Sequence, residues 1–284
     1  MVFFRVLSRL PFGVLYVLAD VIFVLTYYIV GYRRKVVFDN LRKAFPEKSE
    51  TEIRHIAKGF YHNLTDVMVE TLKGLTISAD EVRQRIKITN SEVITKWLVH
   101  EKKVVLLTAG HLCNWEWVLF LPVLSPHFAL DGVFKPLSNA FFGQFLNKVR
   151  TRFGARMIPM SQSLRELMKD KTPRIFGLGS DQNPDNPTNA YWTTFFGQDT
   201  PFMNGNEKLA QRFGYPLIYL EIIRPQRGYY EFIFSELAVP PYEGIVPNQL
   251  TETYVNTLEN TIRKQPQNWL WSHRRWKHKR AAKS

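Results

Sequence analysis

Cysteine is almost absent from this 284-residue chain: Cys113 is the only one. That excludes an internal disulfide framework and any cysteine-built metal cluster, and it suits a reducing compartment. Acidic residues are scarce beside basic ones, 25 Asp and Glu against 38 Lys and Arg, leaving a formal net charge of +13. Such a balance points to partners that carry negative charge, whether nucleic acid, anionic lipid headgroups or an acidic carrier, and does not choose among them. Internal repeats and flexible linkers are missing too, and 45% apolar against 22% charged residues excludes a disordered chain. What is abundant is aromatic: 21 Phe and 7 Trp suggest apolar surface that meets lipid as well as core.

The N-terminal region carries a membrane signal. Phe12 to Val30 reads FGVLYVLADVIFVLTYYIV, in which Asp20 is the only charge, a length close to that needed to cross a bilayer. Arg5 and Arg9 precede it; Arg33, Arg34 and Lys35 follow. No small-residue cleavage site is present, so the segment is expected to be retained as an anchor, spanning or half-inserted. A buried core helix is the competing reading, and Asp20 is its best argument, because a mid-bilayer carboxylate is costly. The longer basic cluster on the C-terminal side and the lone cysteine favour a catalytic domain on the cytoplasmic face.

Residues 1–31 therefore read as an anchor and 32–284 as one domain, with a helical lead-in (32–85) before an α/β core (86–284). Within 36–75 apolar residues recur at helical spacing, and Pro46 followed by SETE marks a break and a capped restart. From residue 86 short β-rich runs alternate with helical segments: IKIT, VVLLTAG, ALDGVF, ARMIPM, RIFGLGS, PLIYLEII and YYEFIFSEL. The alternation predicts an α/β fold with a largely parallel mixed sheet flanked by helices, its last two runs antiparallel across RPQRG. Residues 181–206, rich in Asn, Pro and Gly, are too long for an ordinary connector and read as a functional loop.

The chemistry is expected where VVLLTAG runs into HLCNWEWVLF, because active sites of open α/β sheets gather at the carboxyl ends of strands. His111 and Glu116 are five apart, which on one continuous helix sets them about 140° apart and out of contact. If Asn114 instead caps a helix beginning at Trp115, His111 sits on the preceding turn and can reach Glu116. A carboxylate on one imidazole nitrogen would fix the tautomer and leave the other to deprotonate a hydroxyl. Cys113 could act as a nucleophile in the same motif, although a small residue packed under the turn is the simpler reading.

The His-x-x-x-x-acid motif after an apolar strand resembles the glycerolipid acyltransferase superfamily. The wider pattern resembles its lipid A biosynthesis (late) acyltransferase branch, the lauroyl and myristoyl transferases of lipopolysaccharide assembly. The resemblance runs nearly end to end: YRRKVVFDNLRKAFPEKS, AGHLCNWEW, GVFKPLSN, the Asp-Gln of SDQNPDN, TTFFGQDTPFMNG and QNWLWSHRRWK. It implies a glycerolipid acyltransferase-like fold, with His111 as catalytic base and Glu116 as its partner. Arg150 falls where the family has an arginine, with Arg152 the neighbouring candidate, and Asp181 matches an acidic position. Asn114, Lys135, Arg150, Arg152 and Asp181 are thus candidate substrate-binding residues. Lys135 departs from the arginine found in many members, keeping the charge but losing bidentate anion recognition.

The resemblance further implies an inner-membrane enzyme facing the cytoplasm that moves an acyl chain from acyl carrier protein to a hydroxyl of an anionic glycolipid, a lipid A precursor. No metal or cofactor is expected, since a thioester is already activated; acyl carrier protein or acyl-CoA serves as co-substrate. Two alternatives stay open: an acyltransferase using acyl-CoA on another lipid, and a non-catalytic lipid-binding membrane protein. The closing SHRRWKHKRAAKS holds six Lys or Arg between residues 274 and 283 beside Trp269, Trp271 and Trp276. It reads as an interfacial anchor on an anionic leaflet rather than as a nucleic-acid patch.

Overall fold

The structure, a computed structural model, describes residues 2–280. Lys283 of the basic terminal stretch lies outside the described residues.

All seven β-rich runs form strands, and they join one sheet: β1 (Ile86–Ile88), β2 (Val105–Ala109), β3 (Leu130–Phe134), β4 (Arg156–Pro159), β5 (Ile175–Gly179), β8 (Leu217–Gln226) and β9 (Tyr229–Ala238). The spatial order is β1-β9-β8-β2-β5-β3-β4, and every pairing is parallel except that of β8 with β9. Strand β2 lies between β5 and β8, and helices cover both its faces. That is why Val104–Leu107 is an unbroken apolar run, each residue buried, rather than an alternating one.

The segment 181–206 is not a loop throughout. It contains a hairpin of β6 (Tyr191–Phe195) and β7 (Gln198–Phe202), whose two turn residues, Phe196 and Gly197, both have positive φ. A two-residue turn of that kind matches the twist of the flanking strands. Its sequence signal, a Phe-Gly turn between short β-branched and aromatic runs, is weaker than Asn-Gly.

Ahead of the sheet lie α1 (Val2–Leu7), α2 (Phe12–Val24), α3 (Arg34–Ala44) and α4 (Glu50–Lys73). A π-helical turn, Leu25–Ile29, extends α2. The capping box is formed: Ser49 Oγ accepts from the Glu52 N–H, and the Glu52 carboxylate accepts from the Ser49 N–H at 2.9 Å. Helix α2 packs against α4 through Phe12, Leu15, Ala19, Phe23 and Tyr27, while Val14, Val17, Val21 and Val24 stay exposed. Asp20 is neutralised by Arg227 at 2.6 Å, from the β8–β9 turn.

Candidate active site

Strands β2 and β5 are parallel neighbours, with Ala109 opposite Gly179. His111 lies two residues beyond one strand and Asp181 two residues beyond the other, so the register delivers both side chains to the same point at the carboxyl edge. His111 Nδ1 is 2.5 Å from Asp181 Oδ1, and the His111 backbone N–H donates to Oδ2 at 2.7 Å. Trp269 Nε1–H also donates to Oδ2, at 2.9 Å. The carboxylate is buried at 2% exposure, whereas the imidazole keeps 24%. Two glycines make the approach possible: a Cβ on Gly179 would stand 3.4 Å from His111 Cε1, and one on Gly110 would stand 2.5 Å from a Leu258 methyl.

This corrects the expected partner. The carboxylate on the imidazole is that of Asp181, 70 positions away, and not that of Glu116. Asn114 does precede a helical turn, Trp115–Phe120, but the turn is 3-10 and the Asn114 side chain caps nothing. Its Nδ2 instead donates to Glu70 Oε2 at 2.6 Å. Glu116 faces Arg150, which donates from Nε at 2.8 Å and from Nη2 at 2.7 Å, a bidentate pair largely shielded from water. Their opposite charges act on His111 in opposite directions.

Electrostatics follow from this packing. Burial of the ring opposes the imidazolium, but the Asp181 charge and hydrogen bond outweigh it, holding His111 above its ordinary value. For Asp181, burial would favour the neutral acid; His111 and the N–H donors overcome it and pull the carboxyl down to about 2. With the Nδ1 proton shared with Asp181, the lone pair sits on Nε2, which faces Gln182 Nε2 at 3.2 Å. The imidazole is therefore oriented by Asp181 on one nitrogen and covered by the Gln182 amide on the other.

Of the other candidates, Arg150 lies beside the site through Glu116, and among the described residues its Nη1 makes no hydrogen bond. Arg152 does not join them: it donates to the carbonyls of Gly74, at 3.2 Å, and of Ile77, past the end of α4. Lys135 forms an exposed ion pair with Asp185 at 2.6 Å. Cys113 holds the turn from a left-handed conformation, φ 50°, and is fully buried. Its thiol donates to the Ile222 carbonyl at 3.3 Å, and burial pushes its pKa far up, the reverse of what a nucleophile needs.

Three residues were missed from the sequence. Gln182 covers His111 Nε2. Trp269 belongs to a C-terminal segment that pairs antiparallel with the His111 turn, Leu112 opposite Trp269. Glu70, fully buried, accepts from Asn114, from Tyr230 at 2.6 Å and from Tyr16 at 3.0 Å, joining α2, α4, β9 and the His111 turn at one carboxylate. The C-terminal segment is also corrected: Trp269, Trp271 and Arg275 are buried rather than presented to lipid. Arg275 donates to the Pro201 carbonyl at 2.9 Å and stacks over Phe202 at 4.2 Å.

The model of the bacterial lipid A biosynthesis acyltransferase family matches residues 1–278. The chain belongs to that family. A search of curated proteins returned no match. This lipid A acyltransferase thus places a histidine–aspartate pair at the strand edge and a glutamate–arginine pair beside it.

Proposed function

We propose that the enzyme transfers a fatty acyl group from the thioester of acyl carrier protein to a hydroxyl of a lipid A precursor, with His111 as general base. The observation that carries this is the Nδ1–Asp181 contact at 2.5 Å, which leaves Nε2 as the only basic ring nitrogen. An acceptor hydroxyl displacing Gln182 would give its proton to Nε2 as its oxygen attacks the thioester carbonyl. Collapse of the tetrahedral intermediate breaks the C–S bond, and the imidazolium returns the proton to the departing sulfur. Asp181 stays ionised throughout and stabilises the imidazolium. Arg150, held by Glu116 with Nη1 to spare, is the proposed oxyanion donor.

An acidic carrier is suited by the exposed Arg274, Lys277, Lys279 and Arg280, which adjoin the site through Asn183, an acceptor for Arg275 at 3.0 Å. A membrane-bound enzyme on the cytoplasmic face of the inner membrane is supported by the apolar helix Phe12–Ile29, whose mean hydropathy is 2.0 and which is 28% buried. The test pairs donors and acceptors. Purified enzyme should transfer fastest with acyl carrier protein thioester and lipid A precursor, and His111→Ala should cost about a hundredfold or more. Faster acylation of a glycerophospholipid would remove the lipid A assignment; activity of the variant within a few fold of wild type would remove the base.

A further inference from the structure

The eighteen residues Phe12–Ile29 have the composition of a membrane-crossing helix, yet their surroundings argue for a different placement. At 1.5 Å per residue they reach about 27 Å, slightly short of a hydrocarbon layer of about 30 Å. Along that whole length the segment is accompanied by α4, which runs antiparallel to it. Lys73 Nζ donates to the Leu10 carbonyl at 3.0 Å, Tyr16 Oη to Glu70 at 3.0 Å, and Tyr61 Oη to the Tyr32 carbonyl at 2.6 Å. Midway, His62 stacks on Phe23 with centroids 3.6 Å apart, and Arg227 bridges Asp20 to Asp66 at 2.6 Å each.

A helix so attached cannot enter the bilayer alone. Crossing with α4 would carry Asp20, Asp66, Arg227 and, at the end of the segment, the exposed Lys58, which lies over Tyr28, into hydrocarbon. Detaching from α4 would take Tyr16, one of its three side-chain donors, from the buried Glu70 and would strip Asp20 from Arg227.

The exposed face is nonetheless lipid-like. Val14, Val17, Val21 and Val24 form a stripe at heptad spacing, each between 46% and 63% exposed. It is extended on two other helices: by Phe3 and Val6 of α1, and by Phe141 and Phe142 of the helix Ala140–Arg150. These helices are joined by Phe4, whose ring lies 5.6 Å from Phe141 and 5.5 Å from Phe145. The surface also has the right charge. Between residues 1 and 38 the sole acid is Asp20, already paired, against the exposed Arg5, Arg9, Arg33, Arg34 and Lys35; residues 135–150 contain no acid.

We infer that this enzyme lies on one leaflet rather than crossing the membrane, with α1, α2 and the Ala140–Arg150 helix forming a single apolar platform set into an anionic lipid surface. The occupant is the headgroup and upper acyl region of that leaflet, where interfacial helices settle about 5–10 Å deep. The platform reaches the chemistry directly: the helix whose first turn bears Phe141 and Phe142 ends at Arg150, which holds Glu116 beside His111. A lipid hydroxyl would then be met at the surface, without extraction into solution. This rests on the reading that the acceptor is a membrane lipid, but its test does not use turnover.

Because Cys113 is buried, single cysteines added elsewhere are the only accessible ones. Arg5→Cys and Lys35→Cys in the full chain would be treated with an impermeant maleimide in intact spheroplasts and in inverted membrane vesicles. Both positions should label from the same side. Labelling from opposite sides would establish a spanning helix and overturn the inference. Phe142→Cys and Val17→Cys carrying an environment-sensitive fluorophore should both blue-shift on mixing purified protein with vesicles of three parts phosphatidylethanolamine to one part phosphatidylglycerol. A shift at 17 without one at 142 would overturn the three-helix platform. A shift that follows protein concentration in the absence of vesicles would assign the face to a second copy of the chain.

Discussion

Replacing Asp181 by Asn separates the two carboxylates that could serve His111. Oδ2 receives two fixed donors, the His111 backbone N–H at 2.7 Å and Trp269 Nε1–H at 2.9 Å. In Asp181→Asn the amide oxygen must keep that place, so the NH2 group falls where Oδ1 met Nδ1 at 2.5 Å. Two donors cannot face each other there, and the imidazole must move its proton to Nε2, the nitrogen proposed as base. The analogous substitution in a serine hydrolase triad costs about 10⁴ in kcat for the same reason. A loss of about 10³–10⁴-fold is expected, equivalent to about 4–5.5 kcal/mol of barrier.

Removing the charge also releases the hold that keeps the His111 pKa up. The acid limb of the rate, set by the need for neutral His111, should therefore move to lower pH in the variant. The assay is thiol release from an acyl thioester in the presence of lipid acceptor, read across pH 5–9. Glu116→Gln is the control: it keeps one acceptor for Arg150 and should cost about tenfold or less, with the limb nearly in place. The reasoning fails if Asp181→Asn stays within about threefold of wild type while Glu116→Gln loses about a hundredfold.

Further outcomes follow from the same geometry. Cys113→Ala should keep kcat within a few fold and native protein should resist thiol reagents, whereas an acyl-cysteine intermediate trapped by mass spectrometry would contradict the buried thiol. The His111–Asp181 pair should make stability pH-dependent in both directions. The depressed Asp181 contributes above its unfolded value of about 3.9, and that contribution is lost as pH falls toward about 2. The raised His111 contributes below about 6.5, and that share is lost as pH climbs through its folded value; denaturant titration at several pH values should show both slopes, and Asp181→Asn should flatten them. Arg275→Ala leaves the Pro201 carbonyl without its donor in the interior and takes one bond from half-buried Asn183, and a loss of about 1–3 kcal/mol in unfolding free energy is expected.

The strands were legible in the sequence because a parallel core demands short apolar runs between helices, and all seven appear where IKIT through YYEFIFSEL place them. His111 was legible for the same reason, as the histidine at a strand end. Its partner was harder. Local spacing made Glu116 attractive, but contact is decided by sheet register, and the clue is that VVLLTAGH and IFGLGSD each carry a polar group two residues past the strand. Asp181 could be suspected as an acid near the site without being assigned to Nδ1. Trp269, Gln182 and Glu70 act through tertiary contacts that no local pattern records. In α2 apolar residues face all ways, so periodicity cannot separate the side meeting α4 from the side left open.

Adjacent strands in a sheet stand about 4.8 Å apart, a spacing fixed by backbone hydrogen bonds rather than by side chains. Because His111 and Asp181 are each mounted two residues beyond neighbouring strands, their separation is metered by the peptide backbone itself. Loops, hairpin and helices around them can diverge to admit acyl chains of other lengths or other sugars without disturbing the histidine–aspartate pair. In such a scaffold selectivity and reactivity are inherited from separate parts of the chain, and an engineer could alter the first while leaving the second alone.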